Sequence, residues 1–269
     1  MKTRLKAFAI HFFISAIFVG IAMALTYGAW YRPPFAYIQN VTAIVLILAM
    51  VDLVMGPLMT FIVYNPAKKS LRMDLTIIGL VQVSALLYGM SVLYQSRPVY
   101  AVYAGGRFST ASASEFEQVE LDKAPADSPY LKFPKFGTQW IGASLDKLNE
   151  VDREAAIMAD AFGGGPRVMP RLFVPFDKIA ADVIKQGKRA NTIDFNNPAA
   201  AAQGVDKRKW IPPSTQDLQN LQAELKKYGL PLDQVVLAPL RGSEKRAIVA
   251  LDAKTGSILG TIPQEPFWF

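Results

Sequence analysis

Asp52 is the residue with the clearest chemical consequence, because it interrupts an apolar run that extends over 41–64. A carboxylate near the middle of a bilayer is costly unless it is paired, hydrated or protonated. One interpretation is a protonated Asp52 that hydrogen-bonds within a helix bundle to Gln82, Ser84 or Ser15. A contact with a partner protein and a role in ion transport are the alternatives. Ion transport is disfavoured, because three helices enclose too little space for a pathway.

Small residues recur at strict four-residue spacing in the first apolar run: Ala16, Gly20, Ala24 and Gly28. This spacing places them on one helix face, where another backbone can approach closely. Ala85 and Gly89 offer a matching face on a later helix. The stripe therefore predicts helix packing, either within this chain or against the transmembrane helix of a partner.

Residues for catalysis or metal binding are scarce. The chain contains no cysteine, which excludes disulfides, Cys-ligated zinc, iron–sulfur clusters and thiol catalysis. His11 is the only histidine and lies in the first apolar run. This position favours an interfacial or packing role. Asp152, Glu154 and Asp160 flank Arg153 at helical spacing, which is typical of a solvated face. We therefore predict no catalytic, cofactor-binding or metal-binding residues.

The elements around these residues begin with a membrane part. Hydrophobic residues make up 51% of the 269 residues and charged residues 19%, and apolar runs cover 7–30, 41–64 and 75–94. Each run is long enough to cross a bilayer as a helix. The fold class predicted is three transmembrane helices in 1–96, followed by an α+β domain in 97–269.

A cleaved signal peptide is the alternative for the first run. The chain starts with basic residues, and Ala22-Met23-Ala24 resembles a cleavage site. The apolar run continues past that site to the aromatic residues Tyr27, Trp30 and Tyr31, which suit a helix end at the membrane interface. A retained helix is the favoured interpretation.

Orientation follows from the positions of Lys and Arg, which accumulate in cytoplasmic segments. Three basic residues precede the first helix, only Arg32 lies in the first loop, and three lie in the second loop. The N-terminus is therefore expected inside, and with three crossings 97–269 lies outside, in the periplasm of a Gram-negative cell. Residues 1–96 carry 7 basic and 2 acidic residues, a net charge of 7 − 2 = +5. This charge is explained by contact with membrane lipid, so nucleic acid is not expected as a partner.

The outer part has mixed patterning. Strand patterns cover 98–103, 234–240, 246–251 and 257–262, and the last two suggest a terminal hairpin. Helical spacing covers 149–162 and 177–187, and Ser214 with Asp217 resembles a capping box. The alanine-rich segment 196–209 is expected to be a mobile connection.

Several segments together resemble a known family. In the membrane part these are 52–60 (DLVMGPLMT), 65–71 (NPAKKSL), 74–75 (DL), Gln82, 88–89 (YG) and 97–99 (RPV), and the motif residues singled out are Gly56, Pro57, Lys68, Lys69, Arg97 and Pro98. Looser matches are 239–242 (PLRG), 252–256 (DAKTG) and 266–268 (PFW). The chain resembles the type IV pilin accessory proteins, of the TfpX and TfpZ kind.

The resemblance implies a non-enzymatic protein of the inner membrane that helps a major type IV pilin to assemble into pili. It implies the major pilin as partner, other inner-membrane pilus assembly components as further candidate partners, and no cofactor. Two alternatives from other classes stay open: a membrane-tethered enzyme acting on a cell-wall or lipid-linked glycan, and a periplasmic sensor. The sensor is disfavoured, because the cytoplasmic segments leave no room for an output domain.

Overall fold

The structure is a computed structural model, and it describes residues 1–146, 148–161, 164–198 and 213–268. Most of the predicted connection 196–209 lies outside these residues. The chain divides into two compact units. The first contains Met1–Arg32 and Asn40–Arg97, and the second contains Pro33–Gln39 and Pro98–Phe269.

Three helical spans form the first unit, as the apolar runs predict: Lys2–Trp30, Val41–Val63 and Leu71–Gln95. The first combines α1 (Lys2–Leu25) with a π-helical turn (Thr26–Trp30). The second combines α3 (Val41–Met50), a π-helical turn (Val51–Met55) and α4 (Gly56–Val63), and the third is α5 (Leu71–Gln95). The loop between the first two spans contains α2 (Phe35–Ile38), which belongs to the second unit.

The second unit is built on a mixed sheet, which confirms the predicted α+β class. Its strands are β1 (Pro98–Ala104), β2 (Arg107–Ser112), β3 (Gln139–Ala143), β4 (Phe173–Pro175), β5 (Lys188–Arg189), β6 (Val235–Arg241), β7 (Arg246–Asp252) and β8 (Ile258–Ile262). Its helices besides α2 are α6 (Gln118–Asp122), α7 (Glu150–Ala161), α8 (Ala180–Gln186) and α9 (Thr215–Lys226). The capping box at Ser214 and Asp217 is present at the start of α9.

The strand order is β4-β3-β1-β2-β6-β7-β8, with β5 also paired to β6. The consecutive pairs β1–β2, β6–β7 and β7–β8 are antiparallel, and the last confirms the predicted terminal hairpin. The pairs β1–β3 and β2–β6 are parallel. Along one edge of β6, β5 pairs with the first part of the strand and β2 pairs only with its end, at Leu240 and Arg241. In the parts of the chain that the structure describes, no strand pairs with this edge of β2 beyond Ser109, so the sheet is open there.

Both faces of the sheet are covered by apolar side chains. On one side α9 buries Leu218, Leu221 and Leu225 against inward residues of β6, β7 and β8. A second cluster includes Phe35 and Ile38 of the loop between the first two spans. That loop is thus a structural part of the second unit, because its side chains are packed in the unit's own core.

Candidate functional site

Asp52 and Gln82 meet inside the helical unit. Asp52 lies in the π-helical turn of the second span and is 4% exposed, and Gln82 lies in α5 and is 8% exposed. Gln82 Nε2 donates to the Asp52 carboxylate Oδ1 at 3.4 Å and to the Asp52 carbonyl at 3.3 Å. Of the three partners considered from the sequence, Gln82 makes this contact, whereas Ser84 is exposed.

The motif residues Gly56 and Pro57 explain how this pair fits. Both are buried at the start of α4, one helical turn after Asp52. A Cβ added to Gly56 would collide with the side-chain amide of Gln82. Glycine at this position therefore leaves the space in which Gln82 reaches Asp52.

The other motif residues have separate surroundings. Lys68 forms an ion pair with Asp74 at 2.5 Å, and Lys69 is exposed. Arg97 is buried, donates to the Tyr94 carbonyl and stacks over the Tyr94 ring at 3.8 Å. Pro98 begins β1. These residues lie at the ends of the spans, not beside Asp52.

The small-residue stripe faces away from the other two spans. Gly20, Ala24 and Gly28 are exposed, and no atom of the described residues lies within 4 Å of a Cβ added to either glycine, while Ala16 is half-buried. The first span packs instead through its neighbouring face, where Ser15, Val19 and Thr26 are buried. Gly89, expected to match the stripe, packs against Leu48 of α3.

His11 is also drawn into the helical unit. Its Nδ1 lies 2.5 Å from the Thr60 hydroxyl, in α4. This contact is a polar link between the first and second spans. It places His11 among the packing residues of the bundle.

A polar cleft occupies the open end of the sheet in the second unit. Its cavity of about 230 Å³ lies where β6 stops pairing with β2, and these residues line it: Gln39, Ser109, Thr110, Glu115, Asp160, Arg167, Arg241, Gly242 and Ser243. Beyond this point two side chains reach Thr110 of β2. The Gln39 amide donates to its hydroxyl at 3.0 Å, and Arg167 Nη1 donates to its carbonyl at 2.7 Å.

The turn after β6 is held by the loop between the first two spans. The Ile38 carbonyl accepts from the backbone N–H groups of Glu244 and Lys245, at 3.2 and 3.0 Å. Ser243 donates to the Gln39 side-chain oxygen, and a Cβ added to Gly242 would collide with the Ile38 backbone. The loop therefore fixes one wall of the cleft.

Two of the arginines around the cleft are paired with carboxylates. Arg167 binds both oxygens of Glu115, at 2.8 and 2.9 Å, and Arg107 forms an ion pair with Asp160. Paired guanidinium and carboxylate groups of this kind fix each other's orientation. The prediction that Asp160 belongs to a solvated face was wrong, because the end of α7 turns it toward Arg107, whereas Asp152 and Glu154 are exposed.

Arg241 differs from these two arginines. It is half-buried, and among the described residues its guanidinium makes only a long hydrogen bond, from Nη1 to the Asp160 carbonyl at 3.5 Å. Within the described parts of the chain no carboxylate lies within ion-pair distance of Arg241. The cleft therefore contains one guanidinium whose charge is not neutralised by a described side chain.

Sequence reasoning missed most of the cleft. Gln39, Arg167 and the segment that contains Arg107 and Glu115 lie far apart in the chain, and no local pattern connects them. Arg241 was the exception, because it lies in the 239–242 (PLRG) segment that carries part of the resemblance. In the described residues, no group of three His, Cys, Asp or Glu side chains is placed to hold a metal ion.

Comparison with known proteins identifies relatives across most of the chain. Three fimbrial assembly proteins of Dichelobacter nodosus are similar to it. The serogroup I protein is 26% identical over 238 residues, which is 87% of this chain and 85% of that protein. The serogroup E1 protein is 29% identical over 187 residues, 68% of this chain and 71% of that protein.

The third relative is the protein of serogroups C1 and C2. It is 34% identical over 121 residues, which cover 44% of this chain and 92% of that protein. No protein-family model and no solved structure matches the chain. The similarity over nearly the full length of that relative, with the motifs of the helical spans, shows that this chain belongs to the fimbrial assembly proteins, a type IV pilin accessory family.

Proposed function

We propose that this protein is a non-enzymatic accessory factor of the inner membrane that binds a major type IV pilin and promotes or modulates its assembly into pili. The observation that carries the proposal is the similarity to three fimbrial assembly proteins over 71–92% of their lengths. Three spans and a following domain give the chain the layout that such a factor needs.

The proposed orientation has the N-terminus in the cytoplasm and the domain 97–269 in the periplasm. Basic residues at the start and in the second loop support it, because Lys and Arg accumulate on the cytoplasmic side. The packing of Pro33–Gln39 inside the second unit adds an independent argument. A compact domain folds in one compartment, so the first loop and the strands are expected on the same side of the membrane.

The exposed stripe supports a contact with the pilin within the bilayer. Gly20, Ala24 and Gly28 are not used to pack this chain's own spans, and small residues let a second helix backbone approach closely. A pilin waits in the inner membrane as a single helix with a globular head outside. In this proposal the stripe binds that helix while the periplasmic domain contacts the head.

Two weak contacts on linked bodies reinforce each other. Once one half of the pilin is bound, the second contact is intramolecular and benefits from a high effective concentration. Modest contacts in the bilayer and in the periplasm then give selectivity for one pilin. Neither contact needs a catalytic group.

Deletion of the gene tests the function directly. Surface pili are counted by electron microscopy, and the cellular pilin pool is measured by immunoblot in the same cells. We expect loss or a strong decrease of pili with pilin retained, restored by the gene supplied in trans. Unchanged piliation would contradict the proposal.

Site-specific photo-crosslinking tests the bilayer contact. A photoreactive residue at Gly20 or Ala24 is expected to form an adduct with the pilin, because both positions are exposed. Val19 is the matched control, since it lies one residue away and is 5% exposed, and Asp52 is a second buried position. No pilin adduct from Gly20 or Ala24 in a correctly inserted protein would remove this half of the proposal.

A further inference from the structure

The polar cleft of the second unit has the chemistry of a site for a single carboxylate. Arg241 supplies a half-buried guanidinium that no described carboxylate neutralises, and it faces a cavity of about 230 Å³. A guanidinium is the side chain best suited to bind a carboxylate, because its planar N–H groups match the two oxygens. The side chains of Gln39 and Ser243 border the same cavity with further hydrogen-bonding groups.

The other charges of the cleft define how much negative charge it takes. Glu115 and Asp160 are already paired, with Arg167 and Arg107. These two ion pairs and Arg241 together make five charged side chains. Three are positive and two are negative, a net charge of 3 − 2 = +1. A group with a single negative charge balances this, whereas a phosphate dianion would face two carboxylates at short range.

The size of the cavity favours a group presented by a protein partner over a free small molecule. Sites for cofactors and other small molecules usually have volumes of roughly 300–1,000 Å³. The cleft is smaller, and apart from Gly242 its lining residues carry polar or charged side chains. It has room for one side chain or one chain end with its water, which is what a protein partner presents.

The cleft is also rigid. Arg167 and Glu115 hold each other in a two-pronged pair, and the turn 242–245 is fixed to the Ile38 carbonyl. Gly165, two residues before Arg167, has a φ of +80°, a backbone conformation that favours glycine. A preorganised site loses little side-chain entropy when a partner binds.

We propose that the cleft around Arg241 binds a carboxylate of the pilin head, either an Asp or Glu side chain or the chain end. This inference rests on the proposed function, because it takes the pilin as the partner. It assigns the periplasmic half of the pilin contact to Arg241, with Gln39 and Ser243 at its side. The first loop thereby takes part in recognition, since Gln39 belongs to it.

Binding of the purified pilin head to the full-length protein in detergent tests the inference. We expect Arg241→Gln to weaken binding by about tenfold or more, as expected for loss of a hydrogen bond to a charged group. Arg246→Gln is the matched control, because it removes the same charge from an exposed neighbour that does not line the cleft. Its effect is expected to stay within about twofold.

A second pair of variants covers the case in which Arg241→Gln does not fold. Ser243→Glu adds a carboxylate at an exposed position on the rim of the cleft, where it competes for Arg241. Ser257→Glu adds the same charge at an exposed position away from the cleft. Only Ser243→Glu is expected to weaken binding of the head.

Competitor peptides identify the ligand chemistry and its source. At equal ionic strength, a blocked peptide with a Glu side chain, a peptide with a free C-terminal carboxylate and a neutral Gln peptide are added to the complex. Displacement by one acidic peptide and not by the Gln peptide supports the inference and names the source. Equal displacement by all three would overturn it.

The outcomes separate the two proposals. Failure of the wild-type protein to bind the pilin contradicts the proposed function itself. Normal binding by the wild type, with Arg241→Gln and Ser243→Glu no weaker than their controls, overturns only the assignment to the cleft. Loss in both cleft variants with retained control binding supports it.

Discussion

The two units of this chain place their polar and apolar side chains in opposite ways. In the helical unit, Asp52, Thr60 and Gln82 are buried, while Phe13 and Leu80 are more than 60% exposed. In the sheet unit, Leu237 and Ile248 are fully buried. Because lipid is as apolar as leucine, outward apolar groups cost nothing in a bilayer, and inward polar and small groups determine the packing. In water, the burial of apolar side chains on the strands determines the packing.

Truncation of one leucine to alanine in each unit tests this comparison, and it has the largest expected effect. Leu237→Ala in β6 should cost about 2–5 kcal/mol of unfolding free energy, because it leaves a cavity in a fully buried core. Leu80→Ala in α5 should cost less than about 1 kcal/mol, since its side chain is 62% exposed to the lipid region. Denaturant unfolding of each variant in detergent micelles measures both. Equal losses would mean that the two units follow one packing rule.

The stability of the sheet unit at alkaline pH provides a second test of the comparison. Burial raises the pKa of Tyr100 and of Tyr103 to about 12, against an ordinary value of 10.0. Between these values the folded state keeps protons that the unfolded state loses, so stability is complete below pH 10 and falls as the pH rises toward 12. The loss should reach roughly 2–3 kcal/mol for each tyrosine.

Tyr100→Phe removes one of these ionisations. The variant is expected to be less stable at pH 8, because Tyr100 donates to the Tyr130 carbonyl at 3.1 Å, but to lose less stability between pH 10 and 12. Urea unfolding of the domain at a series of pH values provides the measurement. A profile parallel to that of the wild type would contradict the assignment to Tyr100.

Two glycine substitutions test the packing of the helical unit, with a smaller expected effect on stability. Gly56→Ala should destabilise the helical unit by about 1–3 kcal/mol, because the new Cβ must displace Gln82 from Asp52. Gly20→Ala should leave stability unchanged, since none of the residues that the structure describes has an atom within 4 Å of its added Cβ. Thermal unfolding in detergent distinguishes them. Loss of stability in Gly20→Ala would show that the stripe packs within the chain.

A sequence-based expectation worked best where one local pattern decides the structure. Apolar runs of bilayer length became the three helical spans, and alternating residues before and after Asp252 became the terminal hairpin. The Ser214 capping box needs only residues of its own turn. The direction of the small-residue stripe did not follow from its spacing, because every helix has several faces and only the packing of the bundle selects one.

The amino-acid sequence by itself determined the class of this protein: three apolar spans, a following α+β domain, no cysteine and the motifs of its family. Only the tertiary structure decided that Gln82 is the partner of Asp52, that Gly20 and Ala24 face outward, and that Gln39 joins Arg167 and Arg241 around one cleft. The physical reason is the distance along the chain over which each interaction acts. Hydropathy and capping act between neighbours in the chain, whereas a cleft at the end of a parallel strand pair is formed by residues that meet only after the sheet has assembled.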